Sequence, residues 1–115
     1  MLKEGSLEVE SKDLKRHLEV INRTGKIIFG FRQSKISILN KKSKLVIFAK
    51  NCPPSLEREL KIACNISGTP YLKVDVTSRE LGFMAGKPFS SSVISIIDFG
   101  SSTLLEELTQ TQEQV

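Results

Sequence analysis

The residues of this 115-residue chain that come nearest to a reactive or ligand-binding loop are Gly82-Phe-Met-Ala-Gly86-Lys87-Pro88. Closely spaced glycines let backbone amides close around a phosphate, and an adjacent lysine adds charge. The spacing departs from a nucleoside-triphosphate loop in three respects. Three residues separate the glycines where four are needed, proline follows the lysine where Ser or Thr would sit, and the residues ahead read as a helix instead of a strand. Nucleotide hydrolysis is thereby disfavoured, whereas contact between Lys87 and an RNA backbone is not. Phe89 follows directly. Its ring either packs on an unpaired base or opens the last strand and points inward, and local pattern leaves both open.

Other chemistries have less to build on. His17 is the one histidine, on the polar side of the first expected helix beside Arg16, and reads as solvated, not as a metal ligand. Cys52 and Cys64 have no companion Cys or His at zinc spacing; Cys64 is expected to pack in a helix and Cys52 to lie in a loop. Two cysteines are too few for a disulfide scaffold, which fits a reducing compartment. Ser90, Ser91 and Ser92 lack the surroundings of a nucleophile elbow. Asp75 and Asp98 are expected at strand ends as solvated carboxylates, since two isolated acids do not make a catalytic pair.

Glycines and cations recur at the ends of the expected elements: Gly25-Lys26, Gly30 with Arg32, Asn51, Gly82, and Gly86-Lys87. Loops of this kind can meet at one edge of an open sheet, where Arg and Lys contact phosphate and helix N-termini add amide donors. Taken without geometry, the same residues fit ordinary turns and a solvated surface equally well.

The elements that must position these loops follow from periodicity. Leu14, Leu18 and Ile21 share one face of a helix from about Ser11 to Asn22. Lys26 to Phe29 is a short strand, Gly30 permits a change of direction, and Ser34 to Lys41 places Ile36 and Leu39 at helical spacing. Leu45 to Ala49 has no polar member, as a strand covered on both faces requires, and is the expected central strand. Pro54 suits the first turn of a helix to about Ile66, with Leu56, Leu60 and Ala63 inward and Gly68 as its stop. A strand at Tyr71 to Val74 precedes a Thr77–Glu80 capping box that opens a helix to about Ala85, and Ser92 to Asp98 is the last strand. This alternation predicts an α/β fold, a three-layer α/β/α sandwich around a four-stranded mixed sheet.

With 39% hydrophobic and 26% charged residues, the composition suits a single domain with a core of about residues 11–100. No apolar run approaches the roughly 18 to 20 residues of a membrane helix, and the polar N-terminus lacks a secretory core, so a cytoplasmic protein without a membrane partner is expected. Seventeen Lys plus Arg against thirteen Asp plus Glu give a net charge of +4. Between Val20 and Leu56 there is no acid, while Arg23, Lys26, Arg32, Lys35, Lys41, Lys42, Lys44 and Lys50 all fall there, which predicts a positive face. Residues 101–115 reverse the sign, with Glu106, Glu107 and Glu113 and no base, and read as a short helix and acidic tail.

Three stretches then match a known pattern in order: G-K-x-x-x-G-x-R from Gly25 to Arg32, the strand-then-Asn from Leu45 to Asn51, and E-L-G-x-x-x-G-K-P-F from Glu80 to Phe89. From about Leu14 to Gly100 the chain resembles the archaeal and eukaryotic type of large-subunit ribosomal protein thirty, a family of the kink-turn RNA-binding superfamily. The resemblance implies an α/β/α sandwich in the large ribosomal subunit. It would bind a kinked internal loop of ribosomal RNA with sheared G·A pairs and an extruded base, beside other large-subunit proteins, without catalysis or cofactor; when free, the chain is expected to be monomeric.

By motif, the resemblance places Gly30, Arg32 and Gln33 at the second helix's start against RNA and Asn51 at a base edge. Gly86, Lys87 and Phe89 would surround the extruded base, with Lys26, Ser34, Lys35 and Lys50 as weaker backbone contacts. Arg pairs bidentately with guanine or phosphate, an amide both donates and accepts at a base edge, and a phenyl ring covers an unstacked base. Relatives in the wider superfamily often carry Asn-Glu where this chain has Phe31-Arg32, which weighs against a first rival, a kink-turn subunit of a guide-RNA modification complex or ribonuclease P. A second rival, a small α/β enzyme acting on a phosphorylated metabolite through Lys87, lacks a recognisable general base.

Overall fold

The computed structural model describes residues 6–7 and 11–102. Strands and helices alternate through them: β1 (Ser6–Leu7), α1 (Ser11–Thr24), β2 (Lys26–Phe29), α2 (Phe31–Leu39), β3 (Leu45–Phe48), α3 (Pro54–Ser67), β4 (Tyr71–Lys73), α4 (Ser78–Met84) and β5 (Val93–Asp98). The sheet has the order β1-β4-β3-β5-β2. β1 and β3 run parallel to β4, and β5 runs antiparallel to both β3 and β2, so the sheet is mixed as expected. The two-residue β1 adds a fifth strand. Its register on β4, Ser6 opposite Tyr71 and Leu7 opposite Leu72, is a long-range pairing that two residues carry no local pattern to announce.

Strand alternation divides the core into two layers. On one face, Leu45 and Ile47 of β3 with Leu72, Ile94 and Ile96 pack under Leu14, Leu18 and Ile21 of α1 and Leu81 and Met84 of α4. On the other, Val46 and Phe48 with Tyr71 and Val93 pack under Ile38 of α2 and Leu60, Ala63 and Cys64 of α3. All four β3 residues are buried, which explains the unbroken apolar run and its central place between β4 and β5. Each fully buried Leu, Ile or Phe contributes about 1.5–3 kcal/mol against unfolding.

Several expectations need correction. α2 begins at Phe31, three residues early, because Gly30 (φ 92°) turns the chain in a backbone region closed to most side chains and the helix starts directly after it. The inward side of α2 is Ser34, Ser37 and Ile38, while Ile36 and Leu39 are about half exposed. The small serines let α2 lie close to α3 and β5, a short-range packing solution that hydrophobic spacing does not foretell. His17 is buried, and its Nδ1 lies 3.0 Å from Ser102 Oγ, so the segment after β5 covers the histidine read as solvated. The acidic tail and its short helix lie outside the described residues. Among the described residues, no helix is long and apolar enough to cross a membrane.

Candidate nucleic-acid interface

Backbone hydrogen bonds draw three loops to the end of the sheet where β2 and β3 finish and β5 begins. Gly30 N–H donates to the Val93 carbonyl (3.2 Å), Ala49 N–H to Ser92 (2.9 Å) and Lys50 N–H to Val76 (2.9 Å). Gly30-Arg32, Lys50-Asn51 and the 86–92 loop thus share one edge, and Arg32, Gln33, Lys50 and Asn51 are all exposed there.

Asn51 is fastened to the start of α4. Its Oδ1 accepts the Ser78 N–H at 2.8 Å, and its Nδ2 donates to Ser78 Oγ at 3.3 Å. One amide hydrogen of Nδ2 remains for an outside acceptor. Ser78 also accepts from the Ser91 N–H through its carbonyl (3.0 Å), so it links the Asn51 loop to the 86–92 loop. α4 itself is held by the expected capping box, Thr77 Oγ1 accepting from Glu80 N–H while Thr77 N–H donates to Glu80. The Thr77 N–H and, after it, the Thr77 hydroxyl both donate to the Glu80 carboxylate and hold it below its ordinary value.

The 86–92 loop folds back on α4 through Gly82. A Cβ there would stand 1.9 Å from the Phe89 carbonyl oxygen, so only glycine lets the loop lie this close. Gly86 (φ 87°) rests against Asn22 of α1. Phe89 is 51% exposed and lies four residues ahead of β5, so it neither opens that strand nor points inward. Its ring meets Phe29 edge-on at 5.7 Å, and Lys87 Nζ stands 5.6 Å from the centroid of the same Phe29 ring. Phe29 is therefore the platform that positions both loop residues. In the sequence Phe29 shows only as the last residue of β2 before Gly30; its ring contacts join residues some sixty positions apart.

A cavity of about 380 Å³ opens between Phe29, Gly30, Phe31 and Leu56 on one side and Phe89 to Val93 on the other. Its size falls within the roughly 300–1,000 Å³ of small-ligand clefts. Ser91 is buried and donates through Oγ to the Val93 carbonyl (2.7 Å), so it shapes the loop and is no nucleophile.

The sheet edge does not gather every expected residue. Lys26 pairs in register with Asp98 at the opposite end of β2, and Gly25 packs against the Asp98 carbonyl there. Lys44 N–H donates to Ile96 at that same far end, which puts Lys41, Lys42 and Lys44, in the turn that leads into β3, at the same end of the sheet as Lys26. The acid-free window thus does not form one positive face; it divides between the two ends of the sheet. Ser34 is fully buried, with no hydrogen-bond partner for its hydroxyl among the described residues, so it does not present the expected backbone contact to solvent. Lys35 sits one turn into α2 and is ion-paired with Glu59 of α3. Lys50 stands 3.9 Å from the highly exposed Asp75, a pair that solvent screens.

Two further features are structural. Burial pushes the Glu57 carboxyl up, but hydrogen bonds from Lys61 (2.7 Å) and Lys73 (3.0 Å) and their charges outweigh it and hold it below its ordinary value. Both thiols are buried; burial pushes Cys64 up to about 11 and raises Cys52, so neither is primed as a nucleophile. No group of three His, Cys, Asp or Glu side chains is placed to hold a metal among the described residues.

Residues 12–106 match the model of the Ribosomal protein L7Ae/L30e/S12e/Gadd45 family. The chain belongs to this family. It is 32% identical over 97 residues to the large ribosomal subunit protein eL30 of Methanocaldococcus jannaschii, covering 84% of this chain and 88% of that one. It is 36% identical over 93 residues to the eL30 of Sulfurisphaera tokodaii, covering 81% and 88%. A eukaryotic relative, the eL30 of Trypanosoma brucei brucei, is 32% identical over 87 residues, covering 76% and 83%. The family match spans every element from α1 to β5, so the three loops at the sheet edge lie inside it.

Proposed function

We propose that this chain is a structural constituent of the large ribosomal subunit, a single RNA-binding domain that holds a kink-turn of ribosomal RNA without catalysis or cofactor. It is a monomer when free, sits beside other large-subunit proteins on the cytoplasmic ribosome, and has no membrane partner. Likeness to eL30 proteins of archaea and a eukaryote over more than three quarters of the chain supports the ribosomal part. The observation that carries the RNA-binding part is the convergence of the Gly30, Asn51 and Phe89 loops on one edge.

In this reading Arg32 and Gln33 at the start of α2 contact guanine edges or phosphate, and the unused hydrogen of Asn51 reaches a base. Phe89 covers an extruded base above the cavity bounded by Gly30, while Gly86 and Lys87 allow and neutralise the close approach of the backbone. Lys50 and Lys35 add backbone charge. Lys26, at the far end of the sheet, has no part in this contact.

The test is titration of the purified chain against a kink-turn RNA and against a matched RNA whose sheared G·A pairs are replaced by Watson–Crick pairs, at one moderate salt concentration. Binding at least about a hundredfold tighter to the first is expected, a gap of nearly 3 kcal/mol. Equal, weak binding to both would reduce the edge to generic electrostatics and overturn the proposal.

A further inference from the structure

The Phe83 carbonyl accepts the Gly86 N–H (3.0 Å) at the end of α4, but its side chain belongs to neither core layer and the residue is 71% exposed. A phenyl ring so far out of the core costs solvation without packing in return, and it stands in a defined place. Phe83, Lys87 and Pro88 form part of the wall of two cavities, one of about 630 Å³ that also includes Arg79, Phe89 and Ser90, the other of about 700 Å³ that reaches Lys15, Asn22 and Arg23 on α1. The two adjoin across these shared residues, so a groove leads from Phe89 at the sheet edge, past Phe83, onto the flank of α1.

The charge along this groove is positive. Lys15, Arg23, Arg79 and Lys87 line it against Glu19 and Glu80, and Glu80 is occupied by the Thr77 cap. None of the four cations makes an ion pair among the described residues. An exposed aromatic ring flanked by unpaired cations is the combination that binds single-stranded nucleic acid, rings taking base faces and cations the backbone. A duplex would have its bases stacked away from the ring.

We propose that this groove holds a single-stranded RNA segment continuing out of the kink-turn contact, with one base stacked on Phe83 and its flanking phosphates on Arg79 and Lys87 first, then Lys15 and Arg23. The inference rests on the RNA-binding reading above and extends it from the structured loop to the strand leaving it. Phe83 lies outside the residues that reading uses, so the two can fail separately.

The experiment compares three probes with the full chain: blunt kink-turn RNA, the same RNA with a single-stranded extension of about eight nucleotides, and that extension alone as an oligonucleotide. The extension is expected to tighten binding about tenfold, as one stacked base with backbone contacts provides. Phe83→Ala should abolish the gain while leaving affinity for the blunt RNA within about twofold, since the ring contributes little to the core. Absence of a gain in the unsubstituted chain, or a gain that survives Phe83→Ala, overturns the groove. Should blunt kink-turn RNA not bind, the kink-turn reading fails. The oligonucleotide then decides the groove alone: amide shifts centred on Phe83 and Lys87 and lost in Phe83→Ala support it, and their absence refutes it.

Discussion

At the end of the sheet where β2 and β3 finish, Arg32, Lys50 and Lys87 stand among the Gly30 turn, an anchored amide and an exposed ring. At the end where those strands begin, Lys26, Lys41, Lys42 and Lys44 are exposed, with Lys26 opposite Asp98. Cation density is similar at the two ends. Loops are tied together at both, Ser101 N–H donating to Thr24 Oγ1 (3.0 Å) and Gly100 N–H to Asp98 (2.9 Å) at the second. What differs is that the first end holds an exposed ring against Phe29 and an amide with a spare hydrogen beside a cavity. Charge attracts a polyanion to either end, but a kinked RNA is distinguished from a straight one by groups held in place before it arrives.

The sharpest way to break this contrast is to remove the closeness that builds the first end. Gly82→Ala puts a methyl 1.9 Å from the Phe89 carbonyl, against backbone that cannot step aside without carrying the loop with it. The expected cost is on the order of 1–3 kcal/mol of stability, as for overpacking in a core. Affinity for kink-turn RNA should fall by well over about a hundredfold, because the loop that carries Gly86, Lys87 and Phe89 moves as one, even at temperatures where the variant is folded by circular dichroism. Undiminished affinity in a folded Gly82→Ala would mean that the 86–92 loop is not part of the contact.

A smaller effect is expected from side chains that leave the backbone alone. Arg32→Ala with Asn51→Ala removes one charge-assisted contact and one amide, worth about 1.5–3 kcal/mol and about 1 kcal/mol, and so roughly a hundredfold in affinity. Part of the Asn51 loss acts through Ser78, whose N–H would lose its acceptor, so thermal stability is measured alongside. Lys26→Ala with Lys44→Ala is the matching pair at the other end. It is expected to change affinity by no more than about threefold and to flatten the salt dependence slightly, as distant charges do. Equal losses from the two pairs would erase the distinction between the ends.

How far this contrast was legible in the sequence depends on the range of the interactions behind it. Strands and helices repeat a pattern within ten residues, so β3, α3 and the capping box of α4 stand where periodicity and caps place them. The exposure of Phe89, the Phe29 platform under it and the Asn51–Ser78 bonds each join residues dozens of positions apart, and local pattern is silent on those. The basic window misled for the same reason. Lys26 and Arg32 are six residues apart in sequence yet at opposite ends of a strand and a turn, so a run of like charge in sequence became two patches in space. His17 reversed because its covering group, Ser102, comes from the far end of the chain.

The far end of the sheet offers the smallest test, and it separates structural from binding roles at a single lysine. α2 and α3 close with a similar turn: a left-handed residue, directly after α3 but one residue later at α2, past Asn40, is followed by an N–H that reaches back five residues, Lys42 to Ser37 (2.9 Å) and Thr69 to Cys64 (2.9 Å). At α3 the left-handed residue is Gly68 (φ 72°), which adopts it freely; at α2 it is Lys41 (φ 60°), where the Cβ is crowded by the backbone. Lys41→Gly removes that crowding and one cation of the far end together. The variant is expected to gain up to about 1 kcal/mol in denaturant unfolding, with the entropy of the added glycine in the unfolded chain taking back part of the relief. Its affinity for kink-turn RNA should stay within about twofold, because a cation at this end acts only through screened, long-range attraction. A large loss of affinity in the stabilised variant would place RNA at both ends of the sheet and end the contrast between them.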